Sequence, residues 1–221
     1  MKQLKNSLSI MLLACVFMAC KEPVNRKGTR VSTLPYYNEA SFTPHWNLSD
    51  KELINFHKVA PFSFINHKGN TITEASLENT IYVADFFFTT CQGICPRMQS
   101  NMLLVQEAFK LEKDVAILSH SVTPSTDTVE MLNDYAESHD VEANNWYLLT
   151  GDREAIYNLG RKSYFVDEDL GAYKGEQDFL HTENFVLIDK NKHIRGIYNG
   201  LNKTAVRQLI DDIKTLKKEA I

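Results

Sequence analysis

The run Ile81-Tyr82-Val83-Ala84-Asp85-Phe86-Phe87-Phe88 is apolar except at Asp85, and it leads straight into Thr89-Thr90-Cys91-Gln92-Gly93-Ile94-Cys95-Pro96. A strand apolar at successive positions buries both its faces, so it belongs in the centre of a sheet with a layer on each side. Pro96 is tolerated in the first turn of a helix, and Met98, Met102, Val105 and Phe109 then recur at helical spacing to about Lys113. A buried strand handing over to a helix, with two thiols at the junction, restricts the chain to layered α/β arrangements. The junction also sets the sulfurs at the positive end of a helix dipole, which lowers thiol pKa values and makes thiolates available as nucleophiles or soft ligands.

The remaining patterns fill in that arrangement. Phe62-Ser63-Phe64-Ile65-Asn66 and Thr71-Ile72-Thr73 flank His67-Lys68-Gly69-Asn70 and predict an N-terminal β-hairpin. Val115 to Ser119 and Trp146 to Leu149 read as further strands. Thr126-Asp127-Thr128 with Glu130 supplies N-cap chemistry for a helix whose apolar face carries Met131, Leu132 and Tyr135. Arg153 to about Tyr164 predicts another helix. Phe185 to Ile188 and Ile194 to Tyr198 predict a hairpin turning at residues 189–192, and Lys203 to Lys218 closes the chain as an amphipathic helix. The fold class is therefore an α/β sandwich with a mixed central sheet, an N-terminal β-hairpin and a C-terminal β-hairpin plus helix.

The start of the chain is of a different kind. Lys2 and Lys5, the apolar stretch Leu8 to Met18 and the small residue Ala19 read as a secretory signal, too short to span a bilayer. Ala19-Cys20 resembles a bacterial lipoprotein cleavage site, which makes residues 1–19 a signal peptide, Cys20 the lipidated first residue and Cys15 a discarded one. Residues 20–50, with Pro23, Pro35 and Pro44, then form a tether, and Tyr36, Tyr37, Phe42 and Trp46 predict that its later half packs on the domain at 51–221. The expected location is extracytoplasmic, on the periplasmic side, anchored to the membrane through lipid. Removing residues 1–19 leaves 22 basic against 28 acidic side chains, with no nucleic-acid footprint. One dithiol in an exported chain long enough to bury its own core points to redox or metal chemistry, not to a disulfide-stapled scaffold.

The dithiol at the end of the first core strand and the terminal hairpin and helix resemble the thioredoxin fold. More narrowly, Phe87-Phe88-Thr89-Thr90-Cys91, Cys95-Pro96, Ser121-Val122-Thr123-Pro124 with Asp127-Thr128, Leu148-Leu149-Thr150-Gly151, and His181 ahead of Phe185-Val186-Leu187-Ile188-Asp189 resemble the Sco/SenC family of copper-binding proteins. The resemblance covers roughly residues 60 to 219. It implies metal ligands at Cys91, Cys95 and His181 and a thioredoxin-like metallochaperone, not a turnover enzyme. Such a protein delivers Cu(I) or Cu(II), or reducing equivalents, to the copper centre of a respiratory cytochrome oxidase. Its implied partners are a copper-accepting oxidase subunit, or a similar cuproprotein, and a thiol reductant. Where the family often carries an acidic residue before the proline at Pro124, this chain has Thr123.

Other readings compete residue by residue. Two thiolates and an imidazole form a soft, low-coordinate set suited to copper, and the same set also describes a zinc site with an open position. The rival class is an extracytoplasmic thiol-disulfide oxidoreductase acting without metal, in which Cys91 attacks and Cys95 resolves as a disulfide. Such enzymes place a proline opposite the dithiol, and this chain has none after Pro124. Asp85, six residues before Cys91, is either a proton carrier or a satisfied structural carboxylate. His120 is expected in the core, Met98 and Met102 likewise, and His45, His57, His67, His139 and His193 are expected to be solvated.

Overall fold

A computed structural model of the chain describes residues 31–166, 180 and 182–219. Seven strands form one sheet in the order β2-β1-β5-β4-β3-β6-β7: β1 Ser63–Asn66, β2 Thr71–Thr73, β3 Ile81–Phe87, β4 Val115–Ser121, β5 Trp146–Thr150, β6 Asn184–Ile188 and β7 Ile194–Asn199. β3, β4 and β5 are parallel neighbours, and the hairpins β1–β2 and β6–β7 flank them antiparallel. The helices are α1 Asp50–Ile54, α2 Cys95–Phe109, α3 Val129–Ser138, α4 Arg153–Asn158 and α5 Lys203–Leu216. The mixed sheet and both hairpins are those the sequence predicts.

Every residue of β3 is buried, because the sheet is covered on both faces. Ile81, Val83 and Phe87 point to one side with Met98, Met102, Val105 and Phe109 of α2, Leu132 of α3 and Leu209 and Ile213 of α5. Tyr82, Ala84 and Phe86 point to the other, with Phe64, Leu118, Ile156, Tyr164 and Ile188. The hairpin β1–β2 turns through Gly69 at φ +79°, a conformation an L side chain rarely adopts, while Asn66 Oδ1 accepts from the N–H groups of Lys68 and Asn70.

Three expectations are corrected in detail. The helix predicted to run from Arg153 to about Tyr164 is α-helical only to Asn158, then widens into a π turn at Leu159–Ser163, closed by Tyr164 N–H donating to Leu159 O at 3.1 Å. Helical periodicity cannot see this change, since the buried residues continue through it. The turn is closely packed: a Cβ on Gly160 would stand 2.7 Å from Leu180 Cδ1 and 3.0 Å from Phe86 Cζ, so the backbone itself is the surface that Leu180 and Phe86 touch. α2 begins at Cys95 and ends at Phe109, four residues short of Lys113. His67 and His193, expected in solvent, are 1% and 2% exposed. His67 Nδ1 accepts from Leu148 N–H, and His193 Nδ1 pairs with His57 O.

The later part of the predicted tether lies on the body of the domain. Tyr36 bridges His45, Tyr37 bridges Ile194 at the edge of β7, Leu34 is buried, and Trp46 stays 47% exposed. The contact is locked by Arg195, whose guanidinium donates to Pro35 O, Leu34 O, Asp189 Oδ2 and Glu219 Oε2 at 2.7 to 3.0 Å and lies under the Tyr36 ring. A buried arginine is tolerated because both its charge and its N–H groups are met.

Candidate functional site

The site is built where β3 stops. Beyond Phe87 the strand turns, Cys91 N–H donates to Phe88 O at 3.2 Å, and α2 opens at Cys95 with Pro96 in its first turn. Cys91 is half-buried and Cys95 buried, and both are free thiols. Burial pushes the Cys91 thiol up, but the hydrogen bond from Cys95 and the backbone N–H groups of Cys95, Gly93 and Ile94 outweigh it, so Cys91 is held below the usual thiol range. Cys95 is pushed up to about 12, first by burial and then by the Cys91 sulfur beside it. The helix start thus offers its unpaired donors to the outer sulfur while the inner one keeps its proton.

Two buried carboxylates lie behind the pair. Asp85 shares the α2 face of β3 with Val83 and Phe87; burial raises it to about 7, against the hydrogen bond from Ser119 Oγ at 2.5 Å. Ser119 Oγ in turn accepts from Trp146 Nε1 at 2.8 Å. This pairing satisfies one Asp85 oxygen, and the neutral form that burial favours leaves a proton available near Cys95. Asp127, fully buried, accepts from Thr89 Oγ1, Thr89 N–H, Ser121 Oγ and Thr123 Oγ1. Tyr135 of α3 closes the flank, its ring 5.5 Å from that of Phe87, and burial with both cysteines nearby raises its hydroxyl above the usual phenol range.

Of the residues the sequence singles out, Cys91 and Cys95 come together. His181 and Cys20 lie outside the described residues; the neighbours of His181, Leu180 and Thr182, are 1% and 7% exposed. Among the described residues there is no group of three or more His, Cys, Asp or Glu able to hold a metal ion. His120 is a core residue as expected, on the far face of the sheet, packed between the rings of Phe86, Phe64 and Tyr164. Burial lowers it to about 3, and neither ring nitrogen has a partner, so it gives the dithiol no support. Met98 and Met102 are 2% and 0% exposed in the core. The residue missed is Asp127. It reads as cap chemistry for α3, yet Thr128 is the cap, accepting from Met131 N–H, and Asp127 turns inward. The hydroxyls at Ser121 and Thr123, shortly before it in the chain, were the sign that a carboxylate here would find internal donors.

A mixed sheet covered on both faces, with a dithiol where its central strand meets a helix, defines a thioredoxin-like dithiol protein. The SCO1/SenC family model matches residues 51–218, and the chain belongs to that family. It is similar to a SCO1/SenC family lipoprotein from Bacillus anthracis str. Ames, at 32% identity and a TM-score of 0.63 over 73% of this chain and 96% of that one. It is also similar to BsSco, a member of the Sco family of cytochrome c oxidase assembly proteins in which a disulfide switch has been identified, at 30% identity and a TM-score of 0.62 over 73% and 94%. Arabidopsis thaliana ScoI, whose structure has copper bound, matches at 25% identity and a TM-score of 0.55 over 70% and 97%. Among the described residues no helix is long and apolar enough to cross a membrane.

Proposed function

We propose that this protein carries copper as cargo on Cys91, Cys95 and His181 and delivers it, or reducing equivalents, to the copper centre of a respiratory cytochrome oxidase. The observation that carries the reading is the pair of free thiols at the start of α2, one of them held below the usual thiol range, in a chain of a family with a copper-bound member. Soft thiolates suit Cu(I), which two of them hold in linear coordination, and an added imidazole suits Cu(II). His181→Ala is therefore expected to weaken Cu(II) more than Cu(I), by about tenfold or more for Cu(II) on the scale of a lost supporting ligand contact. Absorption titrations with each oxidation state check this; an unchanged Cu(II) spectrum in the variant assigns the third ligand elsewhere.

The metal-free oxidoreductase reading has one observation in its favour, the split between an acidic Cys91 and a protonated Cys95, which also suits an attacking and a resolving thiol. Turnover of a disulfide substrate by metal-free protein would support it over copper delivery. For location, the likeness to a Bacillus anthracis lipoprotein supports anchoring through Cys20 on the extracytoplasmic side. Fatty-acid labelling of wild type and its loss in Cys20→Ser is the expected result, and equal labelling of both would exclude Cys20.

A further inference from the structure

Asp127 is an unusual place to keep a carboxylate. It is wholly buried, forms no salt bridge among the described residues, and is met only by neutral donors: Thr89 Oγ1 at 2.5 Å, Ser121 Oγ at 2.5 Å, Thr123 Oγ1 at 2.9 Å and Thr89 N–H at 3.3 Å. Burying a charge without a cation is costly even when hydrogen-bonded. Capping α3 does not require it, since Thr128 does that. What Asp127 does join is the end of the parallel pair β3–β4. The backbone ladder of that pair runs to Phe87 opposite Ser121, with Val122 N–H donating to Phe87 O at 2.9 Å as its final bond. One step further on, Thr89 is bonded to no backbone group of β4 but to the Asp127 side chain. Asp127 acts as an extra rung, tying the segment two residues before Cys91 to the loop after β4.

We propose that Asp127 is the positioning residue of the dithiol: through Thr89 it fixes the path from β3 to Cys91 and so sets how often the Cys91 sulfur stands within reach of Cys95. This rests on the reading that the dithiol is the functional site, but not on copper being its cargo. Cys95 is fixed independently, buried in the first turn of α2, whereas Cys91 sits in the irregular stretch that the rung restrains. Loosening that stretch lowers the effective concentration of one sulfur at the other. Disulfide closure and two-thiolate metal binding both need the sulfurs together, so both weaken in parallel.

The test uses Thr89, because Asp127→Ala would leave several buried hydroxyls without an acceptor and could fail to fold. Thr89→Val keeps the shape and the N–H donor and removes the hydroxyl; Thr89→Ser restores it. The midpoint of the metal-free protein is measured in dithiothreitol buffers, where the two thiols surrender two electrons and two protons to oxidised dithiothreitol as the S–S bond forms. Thr89→Val is expected to lower the disulfide-forming equilibrium constant about tenfold, a midpoint about 30 mV less negative, and Thr89→Ser to stay within about twofold of the parent. Cu(I) affinity, by competition with a chelator, should follow the same order. Midpoints of Thr89→Val and the parent that coincide, or Val and Ser variants shifted alike, would overturn the proposal. Midpoints that separate in a protein that takes up no Cu(I) would uphold the positioning role and remove the copper reading alone.

Discussion

Asp85→Asn is expected to stabilise the reduced, metal-free protein at pH 8 by on the order of 4 kcal/mol and to change little near pH 4. The folded Asp85 carboxyl titrates at about 7 because burial penalises its charge, against an ordinary value of 3.8. Its contribution to stability is therefore complete below about 4 and is lost as pH rises through 7. Asparagine keeps an acceptor for Ser119 Oγ and cannot ionise. His120 carries the opposite sign: held at about 3 by burial, it favours folding above its ordinary 6.5 and loses that contribution as pH falls towards 3. In the parent the Asp85 and His120 slopes oppose each other between about 4 and 6.5, leaving the acid-side loss from His67 and His193, which burial also holds below the ordinary histidine range. The Asn variant uncovers the His120 slope and weakens as the medium is acidified below 6.5. Urea unfolding at unit steps from pH 4 to 8 reads both effects, and parallel curves for parent and variant would show that Asp85 is not a buried, proton-holding group.

The parts of this molecule that were legible in its sequence are those written as periodic patterns. The unbroken apolar run at β3, the helical spacing from Met98 to Phe109 and the turn residues of both hairpins give the layers and their order. The dithiol announced itself through its position at a strand-to-helix junction. What stayed hidden depends on contacts between residues far apart in the chain. Arg195 reads as an ordinary strand residue until Leu34, Pro35 and Glu219 arrive around it. His193 follows a turn and so looks solvated, yet it is covered by Tyr36, Phe56 and the carbonyl of His57. Asp127 was hidden differently: a Thr-Asp-Thr run has the same composition whether its carboxylate caps a helix or turns inward, and only the neighbouring loop at Thr89 decides which.

The copper reading makes the largest claim on the dithiol. Cys91→Ser or Cys95→Ser is expected to cost about a thousandfold in Cu(I) affinity, ~4 kcal/mol, taking one thiolate as roughly a quarter of the 10–16 kcal/mol that four-ligand zinc sites provide. A hydroxyl is no soft ligand, and a single remaining thiolate cannot complete linear coordination. On that reading oxidation would remove both sulfurs at once, since only thiolates bind the metal, and a Cys91–Cys95 disulfide would close the site until a reductant reopened it. Copper bound there would in turn protect the dithiol, by about 2.7 kcal/mol at a free metal level a hundredfold above the dissociation constant. The decisive measurement is a Cu(I) titration against a competing chelator, run on the fully reduced protein, on the disulfide form and on the two serine variants. One equivalent held tightly by the dithiol alone is the predicted result; stoichiometric uptake by the disulfide form, or by either serine variant at the parent's affinity, would contradict it.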